Sequence, residues 1–209
     1  MNHAYNQALI DTIQLNYHNI PLAVFLIGAN GSGKSTLRNY LNLTDIQTNI
    51  DPDVLNRINI SFYPNTYLTK SAKQAITMYQ QGINNKFNIC IESTMAGHGT
   101  TERIIQAKKH GYFTVAYFVG LNDVELNLER IRQRVAEGGH NIPDASVRRR
   151  YTESINNAVN LKDYFDELYI IDNSQDSYSL QISKHGQKIT QHLTNLEPWV
   201  IKLQSRLII

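Results

Sequence analysis

Apolar and polar positions alternate along this chain on two different length scales. The run Leu22-Ala23-Val24-Phe25-Leu26-Ile27 is apolar at every position, which predicts a strand covered on both faces. A Gly-rich stretch follows, then a helical pattern over about 35–43. A second short strand should end at Ile50, because Pro52 disfavours regular structure at Asp51. Ala72, Ala75, Ile76 and Tyr79 recur at helical spacing over 71–81, with Gly82 as the expected stop. Strands are predicted over 88–92, 113–119 and 167–171. Helices are predicted over 101–110 and from about Asn122, where Val124, Leu128, Ile131 and Val135 form one stripe. A third runs from beyond Pro143 to about Tyr164. A break falls at Gly138-Gly139. The tail carries a weak hairpin signal over 180–185 and a helix pattern over about 187–203 that Pro198 should interrupt.

Strand and helix thus alternate through most of the chain. That pattern predicts an α/β fold with a doubly wound, parallel, five-stranded sheet. One domain over 1–209 is expected, with an inserted helical lid over about 136–150 and a C-terminal appendage over about 177–209. Right-handed crossovers place every strand C-terminus on one edge, where ligands bind. The Gly-rich stretch, Asp53, Glu92 and Asp172 all follow strand ends and should meet there.

Composition narrows the class. The 209 residues are 42% hydrophobic and 18% charged, with a formal net charge of +2, as in a globular chain and not a disordered one. So small a charge gives no field to attract nucleic acid or a membrane. Cys90 is the only cysteine, which leaves no internal disulfide, and it lies in an apolar run that marks it as a core residue. Met1 to Gln7 lacks the basic and apolar regions of a leader, and the apolar run from Pro21 to Ile27 is too short to span a bilayer. A soluble, cytoplasmic protein is the expectation.

The chemistry is concentrated in Gly28-Ala29-Asn30-Gly31-Ser32-Gly33-Lys34-Ser35-Thr36, which fits the phosphate-binding loop Gly-x-x-x-x-Gly-Lys-Ser. Glycines let successive N–H groups converge on one anion, and the helix that follows adds its positive end. Lys34 can neutralise the β- and γ-phosphates. Ser35 offers a hydroxyl to Mg²⁺, with Thr36 beside it. The strand before and the helix after supply the context this motif requires. A dinucleotide fingerprint fails, because Lys34 follows the last glycine.

Several polar groups gather around that motif. Asp51 and Asp53 could take a proton from an attacking hydroxyl, or serve only as turn and N-cap residues. Glu92 could hold Mg²⁺ through water or bind substrate hydroxyls, or cap the next helix. Arg130 and Arg134 share a helix face, and Arg132 points elsewhere. With Arg148-Arg149-Arg150 they suit a glycine-hinged lid that closes over phosphates; the alternative is a solvated basic face. No aromatic residues interleave with that cluster, which points away from nucleic acid. Asn173 could read a base edge or form an Asx-turn. His98 and His140 are loop histidines without an assigned role.

Taken together, the phosphate loop, Asp51-Pro52-Asp53, Ile91-Glu92-Ser93-Thr94, the segment from Arg132 to Pro143 with its Gly-Gly-His, Arg148-Arg149-Arg150-Tyr151 and Ile171-Asp172-Asn173-Ser174 resemble the zeta-toxin family of P-loop kinases, in particular its short, stand-alone members. The likeness covers roughly 20–175. It implies a kinase using ATP or GTP with Mg²⁺, acting on a sugar hydroxyl of UDP-N-acetylglucosamine; the alternatives are a kinase for another acceptor, such as an antibiotic or a nucleic-acid end, and a non-catalytic nucleotide-binding partner of another protein. It implies Asp53 as general base and Glu92 and Thr94 as substrate contacts. It also implies Arg130 or Arg134 on the phosphates, and a lid arginine among Arg148 to Arg150, here assigned to Arg149. Ala96 stands where classical members carry an arginine, which bears on the acceptor more than on phosphoryl transfer. No antitoxin partner is evident from the residues themselves.

Overall fold

The computed structural model describes residues 20–41, 43–139 and 141–207. Met1 to Gln7 and His140 therefore lie outside the described residues. Among the described ones, seven strands form one sheet in the order β2-β3-β1-β4-β5-β6-β7. β1 (Leu22–Ile27) is central and buried at all six positions, as its unbroken apolar run requires. β2 (Thr48–Ile50), β3 (Ile89–Ser93), β4 (Phe113–Gly120) and β5 (Glu167–Asp172) run parallel to it. These are the five expected strands. β6 (Ser179–His185) and β7 (Lys188–Gln191) extend the sheet in the antiparallel sense.

Helices cover both faces. On one side Phe25, Ile27, Ile91, Phe118 and Ile170 point into a large core; on the other Val24, Leu26, Val115, Tyr117 and Tyr169 form a second. α1 (Lys34–Arg38) is shorter than its pattern suggested. α2 (Pro52–Phe62) and α3 (Tyr67–Asn85) make a hairpin beside β2, followed by α4 (His98–Lys109). α5 (Val124–Ala136) and α6 (Asp144–Asn160) flank residues 137–143. They enclose a small core of Leu128, Ile131, Ile142 and Val147. α7 (Pro198–Leu207) closes the chain. No helix among the described residues is long and apolar enough to cross a membrane.

Two expectations are corrected. Gly82 does not stop α3. It is buried inside the helix, where a Cβ would come within 2.8 Å of Ile89 Cδ1, so the glycine serves close helix–strand packing. Lys86, at φ 57°, is the residue that ends α3. Pro198 does not interrupt a helix over 187–203. It opens α7, where a missing N–H costs nothing, and the stretch before it is β7. Gly186, with φ 57°, turns the chain back so that His185 pairs with Lys188 across a two-residue hairpin.

Candidate functional site

β1 delivers the phosphate loop to the C-terminal edge of the sheet. Its last turn depends on Gly33, which caps α1 at φ 99°. The side chains of Asn173 and Tyr178 press against Gly33 so closely that a Cβ there would collide with the Asn173 amide. Only glycine meets both demands. The loop, the start of α2, β3, α5 and the segment after β5 surround a cleft of about 540 Å³.

Lys34 is almost fully buried at the cleft floor, and its Nζ donates to the Ala29 carbonyl at 2.9 Å. Burial lowers its pKa, opposed by the charges of Glu92, Asp53 and Asp51. Ser35 Oγ donates to Glu92 Oε1 at 2.6 Å. Burial raises the Glu92 pKa, with Lys34 and Ser35 pulling the other way. The second carboxylate oxygen, Oε2, is buried with no hydrogen-bond partner among the described residues. An unsatisfied buried carboxylate oxygen beside a serine hydroxyl is chemistry that fits a bound Mg²⁺.

The two aspartates separate clearly. Asp51 Oδ1 caps α2, accepting from the N–H of Asp53 at 2.9 Å and of Val54 at 3.3 Å. Asp53, in the first turn of α2, lines the cleft with Glu92 and Lys34. Arg130 and Arg134 line it from α5, and Arg130 Nη2 donates to the Asn173 carbonyl at 2.8 Å. Arg132 points outward to Asp144.

The cleft thus gathers Asn30, Gly31, Gly33, Lys34, Ser35, Thr36, Asp53, Glu92, Arg130, Arg134 and Asn173 of the expected set. Gly28 and Ser32, also of the loop, are buried and do not line the cleft. Thr94 is not in the cleft wall; its Oγ1 sits 3.5 Å from the Ala96 N–H in a local turn, beside Met95 at φ 55°. Arg149 is not in the cleft wall; it is half-exposed and pairs with Glu153 one turn along α6. Arg150 is the one that reaches the loop, donating to Asn30 Oδ1 at 2.8 Å. Asn173 spends its side-chain amide on the Ser32 carbonyl at 2.8 Å, so that NH₂ group is committed to the loop. Asp172 forms the Asx-turn, accepting from Ser174 N and Oγ. Cys90 is fully buried in the core, where burial pushes its thiol up to about 11.

Sequence reasoning missed Tyr40, Gln175, Asp176 and Tyr178 in the cleft wall. Tyr40 and Tyr178 meet edge-on, with ring centroids 6.3 Å apart. Their separation in the chain hid them, although Tyr178 lies only five residues beyond Asn173. Asn127 was missed too; its Nδ2 donates to the Asn30 carbonyl at 2.7 Å.

A parallel sheet of this order, with a lysine-bearing phosphate loop and a carboxylate facing it, defines a kinase-type P-loop fold. The comparisons with known proteins agree. The Zeta toxin family model matches residues 7–185, and the chain belongs to the zeta-toxin family, with the kinase-like, nucleotide-binding character of that family. An uncharacterized protein of Haemophilus influenzae is 37% identical over 130 residues, which cover 62% of this chain and 91% of the relative. A structure from the PezAT chromosomal toxin–antitoxin system of Streptococcus pneumoniae superposes with TM-score 0.60 at 16% identity, covering 98% of this chain and 92% of that one. A structure of the Pnkp1/Rnl/Hen1 RNA repair complex gives TM-score 0.54 at 21% identity, over 68% and 46% of the two chains. At these identities the two structures bear on the fold alone.

Proposed function

We propose that this protein is a Mg²⁺-dependent kinase that transfers the γ-phosphoryl group of ATP or GTP to a sugar hydroxyl of a UDP-N-acetylglucosamine-type nucleotide. The observation that carries the reading is the convergence of Lys34, the Ser35–Glu92 pair and Asp53 on one cleft. Lys34 and the loop N–H groups bind the β- and γ-phosphates and neutralise charge as it shifts toward the leaving group. Asp53 accepts the proton of the acceptor hydroxyl as its oxygen bonds to phosphorus and the bond to the β-phosphate oxygen breaks, releasing the nucleoside diphosphate. Ser35 and Glu92 would hold a bound Mg²⁺, which would supply charge neutralisation on the phosphate oxygens. The helices α5 and α6 act as a lid, with Arg130 and Arg134 in the cleft wall and Arg150 on Asn30 of the loop. A closed lid also excludes water and limits idle hydrolysis. Family membership supports an antitoxin protein as a partner of the same chain.

The test is ADP release from Mg²⁺-ATP with and without UDP-N-acetylglucosamine, using Lys34→Ala as the blank. Strong stimulation, with a phosphorylated sugar nucleotide in the mass spectrum, is expected. Lys34-dependent hydrolysis that the sugar nucleotide leaves unchanged would reject this acceptor and keep the kinase reading. Turnover by Lys34→Ala equal to the wild type would reject the kinase reading itself.

A further inference from the structure

Three carbonyls of the phosphate loop, those of Asn30, Ser32 and Gly33, are tied down by side chains from outside it. Two of the ties come from one short segment after β5. Asn173 Nδ2 donates to the Ser32 carbonyl at 2.8 Å, and the Tyr178 hydroxyl donates to the Gly33 carbonyl at 2.7 Å. The Gly33 oxygen also accepts the N–H of Leu37 at 2.9 Å in the first turn of α1, so both its lone pairs are used. In a planar trans peptide the C=O and the next N–H point in opposite directions. Fixing the Ser32 and Gly33 carbonyls therefore fixes the Gly33 and Lys34 N–H groups on the far side of their peptide planes. Gly33 and Lys34 both line the cleft. Successive N–H groups held in this way form an anion-binding nest, and holding them before the ligand arrives removes an ordering cost from binding.

Tyr178 is well placed to hold its end. It is nine-tenths buried, and its ring is braced edge-on by Tyr40. Burial pushes its pKa up to about 12, so the hydroxyl keeps its proton at any working pH. It sits just before β6, in the antiparallel appendage and not in the five-stranded nucleotide-binding core. An exposed tyrosine packed on a loop edge would offer a ring to a base. This one turns its hydroxyl to the loop backbone.

We propose that Tyr178 is a positioning residue for the polyphosphate chain of the nucleotide: through the Gly33 carbonyl it keeps the loop N–H groups aimed into the cleft, a role Asn173 shares at Ser32. The proposal rests on the reading that this cleft binds a nucleoside triphosphate. Its ligand is the phosphate chain, not the base, and inorganic tripolyphosphate separates the two.

The experiment measures the affinity of the full chain for tripolyphosphate and for ATP, in wild type and Tyr178→Phe, with the unfolding midpoint of the ligand-free proteins alongside. Removing one neutral hydrogen bond should raise both Kd values by the same factor, about 5- to 10-fold. The phenylalanine ring keeps the packing against Tyr40. Asn173→Ala, which removes the tie at Ser32, should likewise raise both values by a common factor. Unchanged affinities in Tyr178→Phe would overturn the proposal. So would weaker ATP binding with normal tripolyphosphate binding, because that marks a base contact. A lower unfolding midpoint with unchanged affinities marks a purely structural bond and also overturns it. Should Tyr178→Phe fail to fold, equal tripolyphosphate affinity in Asn173→Ala and wild type would overturn it. Wild-type protein that binds neither ligand removes the nucleotide reading, and the proposal with it.

Discussion

Asp51 and Asp53 stand two residues apart, and one helix start gives them different surroundings. Asp51 caps α2 and accepts two backbone N–H groups, while Asp53 faces Lys34 and Glu92 across the cleft. Replacing Asp51 with alanine should cost about 1 kcal/mol of stability, the usual effect of losing an N-cap, and Asp51→Asn should cost less because asparagine caps as well. Asp53→Asn should leave the denaturation midpoint near the wild type, retain ATP binding and lower the transfer rate by about 10²- to 10⁴-fold. Equilibrium denaturation and steady-state kinetics on the three variants check this. Loss of transfer in Asp51→Asn, with Asp53→Asn active, would move the base to Asp51. The phosphate loop was legible because its chemistry lies in the backbone, which Gly-x-x-x-x-Gly-Lys-Ser dictates by itself. The choice among Arg148, Arg149 and Arg150 was not. Consecutive helix residues point about 100° apart, and only the packing of α6 decides that Arg150 meets Asn30 while Arg149 meets Glu153.

Elements were legible where one force set them. β1, β3, β4 and β5 are buried on both faces, so burial alone writes the pattern. α2 escaped notice for the opposite reason. Its buried positions are Leu55 and Asn59, while Val54, Ile58, Ile60 and Phe62 are exposed, so its apolar residues do not mark its inner face. Asn59 instead stitches α2 to α3, donating to the Leu55 carbonyl, Ser71 and Gln74. Asp166 does similar work between other elements. Its carboxylate takes Lys108 of α4 on one oxygen and the N–H and hydroxyl of Thr114 in β4 on the other. Burial alone would raise its pKa, but the Lys108 and Thr114 bonds outweigh burial and hold it below the ordinary carboxylate value. A carboxyl depressed in the fold binds protons more readily unfolded. Its contribution is therefore whole above about pH 4 and is lost as pH falls through the folded value. Asp166→Asn should be less stable than wild type at neutral pH, and its stability should fall less steeply below about pH 4. Denaturant titrations from neutral pH into acid test this. Parallel acid limbs for the two proteins would show that Asp166 has no such role.

At the scale of the whole molecule, three separate parts of the chain hold one loop. α5 supplies Asn127, α6 supplies Arg150, and the segment joining β5 to β6 supplies Asn173 and Tyr178. Within the appendage, α7 anchors to the core strands β4 and β5. Trp199 Nε1 donates to Asp172 Oδ1 at 2.7 Å, and its ring lies on Phe118 with centroids 5.8 Å apart. A ligand that occupies the loop is therefore bound by the folded arrangement and by no part of the unfolded chain, so binding must stabilise the whole fold. At a free ATP concentration about one hundred times Kd, the linkage is worth about 2.7 kcal/mol. For a chain of this size each kcal/mol moves the midpoint by about 2–4 °C, so Mg²⁺-ATP should raise thermal unfolding by about 5–10 °C. Lys34→Ala should lose most of that shift at the same ATP concentration, because weaker binding lowers the ratio of ligand to Kd. Its ligand-free midpoint should not fall, since the substitution removes a desolvated ammonium group from the cleft floor. A scan in which the variant keeps the full shift would mean that ATP binds somewhere other than this loop. A scan in which the ligand-free variant unfolds far below the wild type would mean that Lys34 supports the loop as well as the phosphates, through its bond to the Ala29 carbonyl.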